Sequence, residues 1–173
     1  NSELGYGLQN LLQEKNVTIN CSKDLVGEIW TSRPAMSCEP IWSLDVKYAG
    51  KSTVEKLSDL RDAMKKNKAQ IHLMTALDEI AWLFNLRGND IVNNPVFLSY
   101  ALITQNEAYL YVQKEAIKED TKMGKAVCAA LAETKVQVKE YAEFLQDVAA
   151  LKNEKILLER KKASFAVCES IDA

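Results

Sequence analysis

The stretch "LDEIAWLFNLRGNDIVNNPVF", residues 77 to 97, decides how the fold of this 173-residue chain is interpreted. Its first half is apolar at helical spacing and stops at Asn85, and its second half is rich in Asn and Asp around Gly88. Thr75 and Asp78 have the spacing of a capping box, which predicts that a helix begins at this point. Gly88 can adopt a positive φ, and the Asn and Asp side chains can bond their own backbone. The stretch therefore predicts a helix that ends in a turn at Gly88 and a polar loop.

The elements next to this stretch predict a helix before it and a hairpin after it. Ser52 and Glu55 form a second capping box, which opens a helix with one apolar face. That face is expected to contain Val54, Leu57, Leu60 and Met64. A strand, "AQIHLMT", follows this helix, and after the polar loop "VFLSYALI" and "EAYLYVQ" are separated by a tight connection. Two strands joined so closely should pair antiparallel.

The C-terminal third alternates between helices and strands. Helices are predicted over about 121–132 and 141–151, strands at "KVQVKEY" and "KILLE", and a helical start at "KASFAVCES". Because the central hairpin breaks strict βαβ alternation, the sheet should contain both parallel and antiparallel strands. The sequence therefore predicts an α/β fold in which a mixed β-sheet is flanked by helices.

The sequence predicts that the N-terminal part is separate from the main domain. Residues 3 to 15 carry leucines at helical spacing, a short strand-like "VTI" follows, and "DLVGEIW" predicts a further short helix. Residues 31 to 51 contain two prolines and one glycine with little periodicity, which is typical of a linker. We therefore expect 1–30 to be the tail of a preceding domain, 31–51 a linker, and 52–173 the main domain.

Composition excludes several classes of function. A net charge of -2 gives no basic field for nucleic acid and no polybasic membrane anchor. The apolar runs are too short to span a bilayer, and the first residues lack the regions of a signal peptide. The four cysteines have no CxxC spacing, which favours free thiols in a reducing compartment over zinc or a disulfide framework. We therefore expect a cytoplasmic protein that binds neither nucleic acid nor membranes.

Catalytic motifs are missing from the sequence. It has no GxGxxG, Walker or GxSxG motif, and its only histidine, His72, lies in a predicted strand between apolar neighbours. That environment favours a structural histidine over a metal ligand or a general base. Asp78 and Glu79 are adjacent on a helix, so their side chains diverge and cannot hold one metal together. We predict no catalytic and no metal-binding residue in this chain.

Arg87 is the residue of the polar loop that turn chemistry does not require. A guanidinium beside a rigid turn can clamp a carboxylate or phosphate with two parallel hydrogen bonds. An arginine near a helix end can equally cap carbonyl groups or form a salt bridge. From spacing alone both interpretations stay open.

A family resemblance covers nearly the whole chain. "TALDEIAWLFNLRGNDIVNNPVFLSYALI" resembles the middle domain of the three-domain Xaa-Pro aminopeptidases, the aminopeptidase P family of metallopeptidases. "DLVGEIWTSRP" is similar to the connector out of the first domain, and "KLSDLRDAMKKNKA" to the opening helix of the middle domain. "ASFAVCESI" resembles the segment before the catalytic domain. The resemblance implies the creatinase/prolidase N-terminal fold, a mixed sheet flanked by helices.

The resemblance also implies a function. A catalytic domain would follow Ala173, and its two Asp, one His and two Glu would hold two divalent metal ions, expected to be manganese. The parent would remove the N-terminal residue before proline, and this chain would be its non-catalytic scaffold. Its implied partners are that catalytic domain, a peptide with proline at the second position and a second subunit in a homodimer. The polar loop would lie toward a catalytic domain, which makes Arg87, Asn89 and Asp90 candidates for the substrate cleft. The alternative is a protein-interaction domain of a catalytically inactive creatinase-like protein.

Overall fold

The structure, a computed structural model, describes residues 1–20 and 23–172. Its strands are β1 (Trp42–Ser43), β2 (Ile71–Met74), β3 (Leu86–Arg87), β4 (Tyr100–Thr104), β5 (Ala108–Val112), β6 (Val136–Glu140) and β7 (Ile156–Leu157). Its α-helices are α1 (Ser2–Gln13), α2 (Leu25–Ile29), α3 (Val46–Ala49), α4 (Thr53–Lys66), α5 (Leu77–Phe84), α6 (Lys122–Glu133), α7 (Phe144–Ala150) and α8 (Phe165–Asp172). Short 3₁₀ turns occupy Lys114–Ile117 and Tyr141–Glu143. Across these residues, no helix has both the length and the apolar character needed to cross a bilayer.

The predicted mixed sheet is confirmed. Five strands lie in the order β6-β5-β4-β2-β7. The hairpin β4–β5 and the pair β2–β4 are antiparallel, whereas β5–β6 and β2–β7 are parallel. Alternate residues of β4 face opposite sides, so that Leu102 belongs to one apolar cluster and Ile103 to the other. Helices therefore cover both faces of the sheet.

The two faces are covered by different helices. One face packs against α4, α5 and α6 through Met64, Ile80 and Val127, all fully buried. The other face packs against α7 and α8, where Phe144 and Val167 are fully buried. This division places α5 and the loop after it on the first face of the sheet.

Helix α4 begins at the predicted capping box, but its buried face differs from the prediction. The Ser52 hydroxyl accepts a hydrogen bond from Glu55 N at 3.3 Å, and the Glu55 carboxylate accepts one from Ser52 N at 2.8 Å. Val54, expected on the apolar face, is 54% exposed, while Lys56 is only 1% exposed. The helix is rotated so that a lysine, rather than a valine, points toward the end of α5.

Two other local predictions are wrong. Ala76 precedes the first residue of α5 and makes no side-chain cap, so Thr75 and Asp78 do not form a capping box. The helix begins one residue too late for Thr75 to occupy the capping position. The strand expected at "VTI" is absent because the Val17 amide bonds back to the Leu12 carbonyl at 2.9 Å rather than to a neighbouring strand.

The second half of the segment expected to be a linker is part of the fold. Ile41 is 1% exposed, and its amide donates to the Ala116 carbonyl at 2.9 Å. Strand β1 pairs antiparallel with β3, with Trp42 opposite Arg87. Residues 31 to 36, in contrast, are exposed. The division of the chain at residues 30 and 51 stays a prediction, but residues 41 to 44 fold with the sheet and its helices.

Helix α1 is attached to the C-terminal end of the fold. The Ser2 hydroxyl donates to the Arg160 carbonyl at 2.6 Å, and Ser2 is fully buried. The rings of Tyr6 and Phe165 meet edge to face at 5.1 Å between centroids. Leu4, Leu8 and Leu11 of this helix are exposed, Leu4 to 74%. The contact of α1 with α8 is therefore made by its small and aromatic residues.

Candidate functional site

Helix α5 ends in a left-handed residue that several groups hold in place. Asn85 has φ 53° and ψ 37°. The Lys56 ammonium donates to the Asn85 side-chain oxygen at 2.6 Å and to the Trp82 carbonyl at 2.7 Å. The Asn85 amide group donates to the Lys51 carbonyl at 2.9 Å, and the Asn85 carbonyl accepts from Leu44 N at 2.7 Å. The direction in which the chain leaves α5 is therefore fixed by contacts with α4 and with the segment before it.

The positive φ that we expected at Gly88 is found at Asn85 instead. Asparagine tolerates the left-handed region because its short side chain can hydrogen-bond locally. Gly88 has another role: a Cβ there would lie 2.6 Å from the Cβ of Phe97. Gly88 is therefore required for close packing of the loop against a fully buried ring.

Lys56 is a buried cation that forms no ion pair with a carboxylate among the described residues. Burial lowers its pKa, and the nearby positive charges of Arg87 and Lys51 lower it further. Its ammonium lies 4.4 Å from the centroid of the Trp82 ring, which attracts a cation. The two oxygen acceptors are at the C-terminal end of α5, where the helix dipole is negative. These interactions offset part of the cost of removing the ammonium from water.

Arg87 also binds the end of α5. Its Nη1 donates to the Ala81 carbonyl at 2.7 Å and to the Leu86 carbonyl at 2.8 Å. The side chain is half-buried, and its Nη2 and Nε make no hydrogen bond to another residue within 1–20 and 23–172. Arg87 therefore caps carbonyl groups at the end of α5, which is one of the two interpretations that the sequence left open. The Nη2 and Nε groups, on the other edge of the guanidinium, can still donate hydrogen bonds to an anion.

Asp90 fastens the loop to the segment that precedes β1. Its Oδ1 accepts hydrogen bonds from the Ser37 hydroxyl at 2.6 Å and from Glu39 N at 3.1 Å. Its Oδ2 accepts one from Leu98 N at 2.8 Å. Asn89, by contrast, is exposed. Of the three sequence candidates, Arg87 and Asn89 present polar groups outward, and Asp90 holds the loop that carries them.

The loop is closed on itself below an exposed tip. Gly88 N donates to the Pro95 carbonyl at 3.4 Å, and Asp90 N donates to the Val96 carbonyl at 3.2 Å. Val92 at the tip is 86% exposed. The loop therefore has a fastened base, formed by backbone and Asp90 contacts, and an apolar tip available for contact.

The described residues do not offer a metal site. No group of three or more His, Cys, Asp and Glu side chains among them could hold a metal ion. His72 Nδ1 lies 3.0 Å from the Leu157 carbonyl oxygen, and burial lowers the pKa of the imidazole. Glu79 forms an ion pair with Lys162 rather than a site with Asp78. The described cysteines, Cys38, Cys128 and Cys168, are free thiols, and Cys21 lies outside the described residues.

Lys56 and Asn85 are the residues of this site that sequence reasoning missed. A lysine at a helical position next to polar residues is ordinarily exposed, so its burial has no local signal. Asn85 does have a signal, because Asn at a helix end is a common left-handed residue.

The fold is that of a known domain class. Residues 32–173 match the family model described as the Creatinase/Prolidase N-terminal domain, and the chain belongs to that family.

Several individual proteins are similar to this chain. The chain is 44% identical over 133 residues to the probable Xaa-Pro aminopeptidase P of Sordaria macrospora, covering 76% of this chain and 21% of that protein. It is 36% identical over 167 residues to that of Coprinopsis cinerea, covering 94% of this chain and 27% of that protein. The structure resembles the X-prolyl aminopeptidase of Caenorhabditis elegans, described as a cytosolic enzyme with a di-nuclear active site, with a TM-score of 0.84 and 25% identity. That match covers 96% of this chain and 27% of the other.

These similarities confirm the resemblance and the fold class inferred from the sequence. The chain spans about a fifth to a quarter of the length of these relatives.

Proposed function

We propose that this chain is the non-catalytic N-terminal part of a metal-dependent Xaa-Pro aminopeptidase. The observation that carries the proposal is the similarity to the Caenorhabditis elegans enzyme over 96% of the chain at a TM-score of 0.84. The activity of the parent would be removal of the N-terminal residue before proline. This chain would supply a scaffold for the catalytic domain of the same polypeptide, in a cytoplasmic enzyme that forms a homodimer.

The metals of such an enzyme do not fit the residues described here. A two-metal site needs several carboxylates, and usually an imidazole, that converge on two adjacent ions. The described residues contain no such group, and the only imidazole is half-buried with Nδ1 near a carbonyl oxygen. The two divalent ions, which we propose to be manganese, would be held outside this chain.

A cleavage assay tests the proposal. The 173-residue chain and the full-length parent would each be incubated with an Xaa-Pro-Pro peptide and Mn²⁺, and release of the first residue would be measured. We expect the parent to cleave the peptide and the 173-residue chain to be inactive. An inactive parent, with its fold and metal content intact, would favour the alternative of a protein-interaction domain. Chelator-sensitive cleavage by the 173-residue chain alone would contradict the proposal that this chain is non-catalytic.

We further propose that Arg87 and Asn89 face the substrate cleft and that Asp90 supports them. The support is geometric: Arg87 has donors left over after capping α5, Asn89 is exposed, and Asp90 fixes the base of the loop. A guanidinium with two remaining donors can bind a peptide carboxylate or carbonyl oxygen. In this arrangement the chain would contribute to substrate binding without taking part in bond cleavage.

Arg87→Ala in the full-length enzyme tests the role of Arg87. Loss of one charge-assisted contact should lower kcat/KM about 10- to 100-fold. Arg61→Ala is a matched control, because Arg61 is also half-buried and donates to two carbonyl groups, those of Thr104 and Glu107. We expect Arg61→Ala to change stability but not kcat/KM. If Arg87→Ala lowers only Tm, Arg87 is a helix cap and not a cleft residue.

A further inference from the structure

A cavity separate from the Asp90 loop lies on another side of α5. Its volume is about 340 Å³, and it is bounded by β2, by α5, by Leu60 of α4 and by the turn that contains Glu159 and Lys162. Leu60 and Met74, on the α5 side of the sheet, line its apolar part, and the indole of Trp82, which is 51% exposed, forms one wall. Small-molecule sites in proteins have volumes from roughly 300 to 1,000 Å³, so this cavity is large enough for a small ligand.

The charged side chains at this cavity carry an excess of negative charge. Lys162 Nζ lies 2.5 Å from Glu79 Oε1 and 3.4 Å from Glu159 Oε2. All three side chains are 39% to 52% exposed, so they are accessible to a ligand. Two carboxylates and one ammonium leave one uncompensated negative charge. An anion that approached Lys162 would meet both carboxylates, whereas a cation would meet oxygen atoms that still have acceptor capacity.

His72 adds an acceptor to the same cavity. Its Nδ1 lies 3.0 Å from the Leu157 carbonyl, which can only accept, so the proton of the neutral ring resides on Nδ1. The remaining Nε2 then carries a lone pair and no proton. The imidazole lines the cavity with Glu79, Trp82 and Lys162. A donor, and not an acceptor, is the group that pairs with His72 Nε2 and with the two carboxylates.

We propose that this cavity binds a small organic ammonium ion with an apolar stem. The ammonium group would bind Glu79 Oε2 and Glu159 Oε1, the carboxylate oxygens that Lys162 does not pair with, and the stem would pack against Leu60 and the indole of Trp82. The Lys56 ammonium already lies 4.4 Å from the centroid of the Trp82 ring, so the apolar stem, rather than the ammonium group, would pack on this indole. A protonated primary amine on a short alkyl chain combines both properties.

The single histidine of the sequence makes this proposal directly measurable. Because the chain has one His, its imidazole signals in an NMR spectrum all come from His72. The 173-residue chain would be titrated with n-hexylammonium, and with n-hexanol and hexanoate as neutral and anionic ligands of similar length. We expect saturable shifts of the His72 signals with n-hexylammonium at millimolar dissociation constants, and clearly weaker binding of the other two.

Substitutions at two exposed positions are expected to change the affinity for n-hexylammonium in opposite directions. Glu159→Gln should weaken binding of n-hexylammonium by about threefold, because it removes one of the two carboxylates. Lys162→Met should strengthen it by a similar factor of about three, because it frees both carboxylates. Equal binding of n-hexanol, tighter binding of hexanoate, or weaker ammonium binding by Lys162→Met would each overturn the proposal. The absence of any saturable shift in the wild-type chain would overturn it as well.

Discussion

Replacement of Lys56 by Met removes a buried ammonium that binds the end of α5. Two hydrogen bonds are lost, to the Asn85 side chain at 2.6 Å and to the Trp82 carbonyl at 2.7 Å. Each hydrogen bond from a charged donor contributes about 1.5–3 kcal/mol, so the gross loss is about 3–6 kcal/mol. In the variant, the Trp82 carbonyl would still accept a hydrogen bond from the Asn85 backbone amide, which lies at 3.4 Å. The Asn85 side-chain oxygen has no partner other than Lys56 among the described residues.

Part of this loss is returned because the charge no longer has to be buried. The pKa of Lys56 is lowered chiefly by burial, which indicates that its contacts do not fully replace water. Methionine fills a similar volume and brings no polar atom that needs a donor. We therefore expect Lys56→Met to lower the free energy of unfolding by about 2–3 kcal/mol. For a chain of this length that corresponds to a fall in Tm of about 4–12 °C.

Urea unfolding followed by tryptophan fluorescence measures this free energy, with thermal unfolding as a second assay. Lys65→Met is the matched control, since Lys65 lies on the same helix, is 66% exposed and forms an ion pair with Asp62 at 3.3 Å. The control should change the free energy of unfolding by less than about 0.5 kcal/mol. If Lys56→Met is as stable as the wild type or more stable, the buried ammonium is a net cost and does not hold the end of α5.

Two further changes test the loop base and the buried histidine. Asp90→Ala removes three hydrogen bonds and should destabilise the fold by about 1–3 kcal/mol and speed limited proteolysis of residues 31 to 51, whereas Asn89→Ala should do neither. Equal proteolysis of the two variants would show that Asp90 does not fasten the segment. Burial lowers the pKa of His72 below 6.5, although Glu79 opposes this, so the folded state binds a proton less readily than the unfolded chain. Stability should therefore fall as the pH drops below about 6.5, and His72→Asn should reduce that fall in urea titrations at about pH 7.5 and pH 5. An identical pH dependence in this variant would exclude His72 as the cause.

Local sequence signals predicted most of the architecture. The capping box of Ser52 and Glu55 depends on residues three positions apart, and the β4–β5 hairpin on a short connection, so both could be recognised without knowledge of the rest of the chain. Strands β1 and β3 could not, because each has two residues and exists only through the pairing of Trp42 with Arg87 and of Ser43 with Leu86. Distant partners, rather than intrinsic preference, determine such strands.

The candidate site also has features that the sequence predicted and features that it did not. That a polar loop follows α5 could be predicted from composition, and Arg87 was identified with both of its interpretations. The sequence assigned the left-handed turn to Gly88 because glycine is the more permissive residue, but close packing against Phe97 accounts for that glycine. The use of Asn85 depends on Lys56, which lies 29 positions away in the sequence. Contacts at this distance become visible only when the helices are packed together.

The parallel pairing of β2 with β7 has a consequence for the order in which the protein folds. His72 and Leu157 are 85 positions apart, whereas the β4–β5 hairpin closes over a turn of a few residues. The longer closure costs roughly 2–3 kcal/mol more chain entropy, so it becomes favourable only after other contacts have formed. We expect the hairpin to belong to the folding nucleus and the two-residue strand β7 to dock late. In native-state hydrogen exchange, the amides that join β7 to β2 should therefore open at a lower free energy than those of the hairpin.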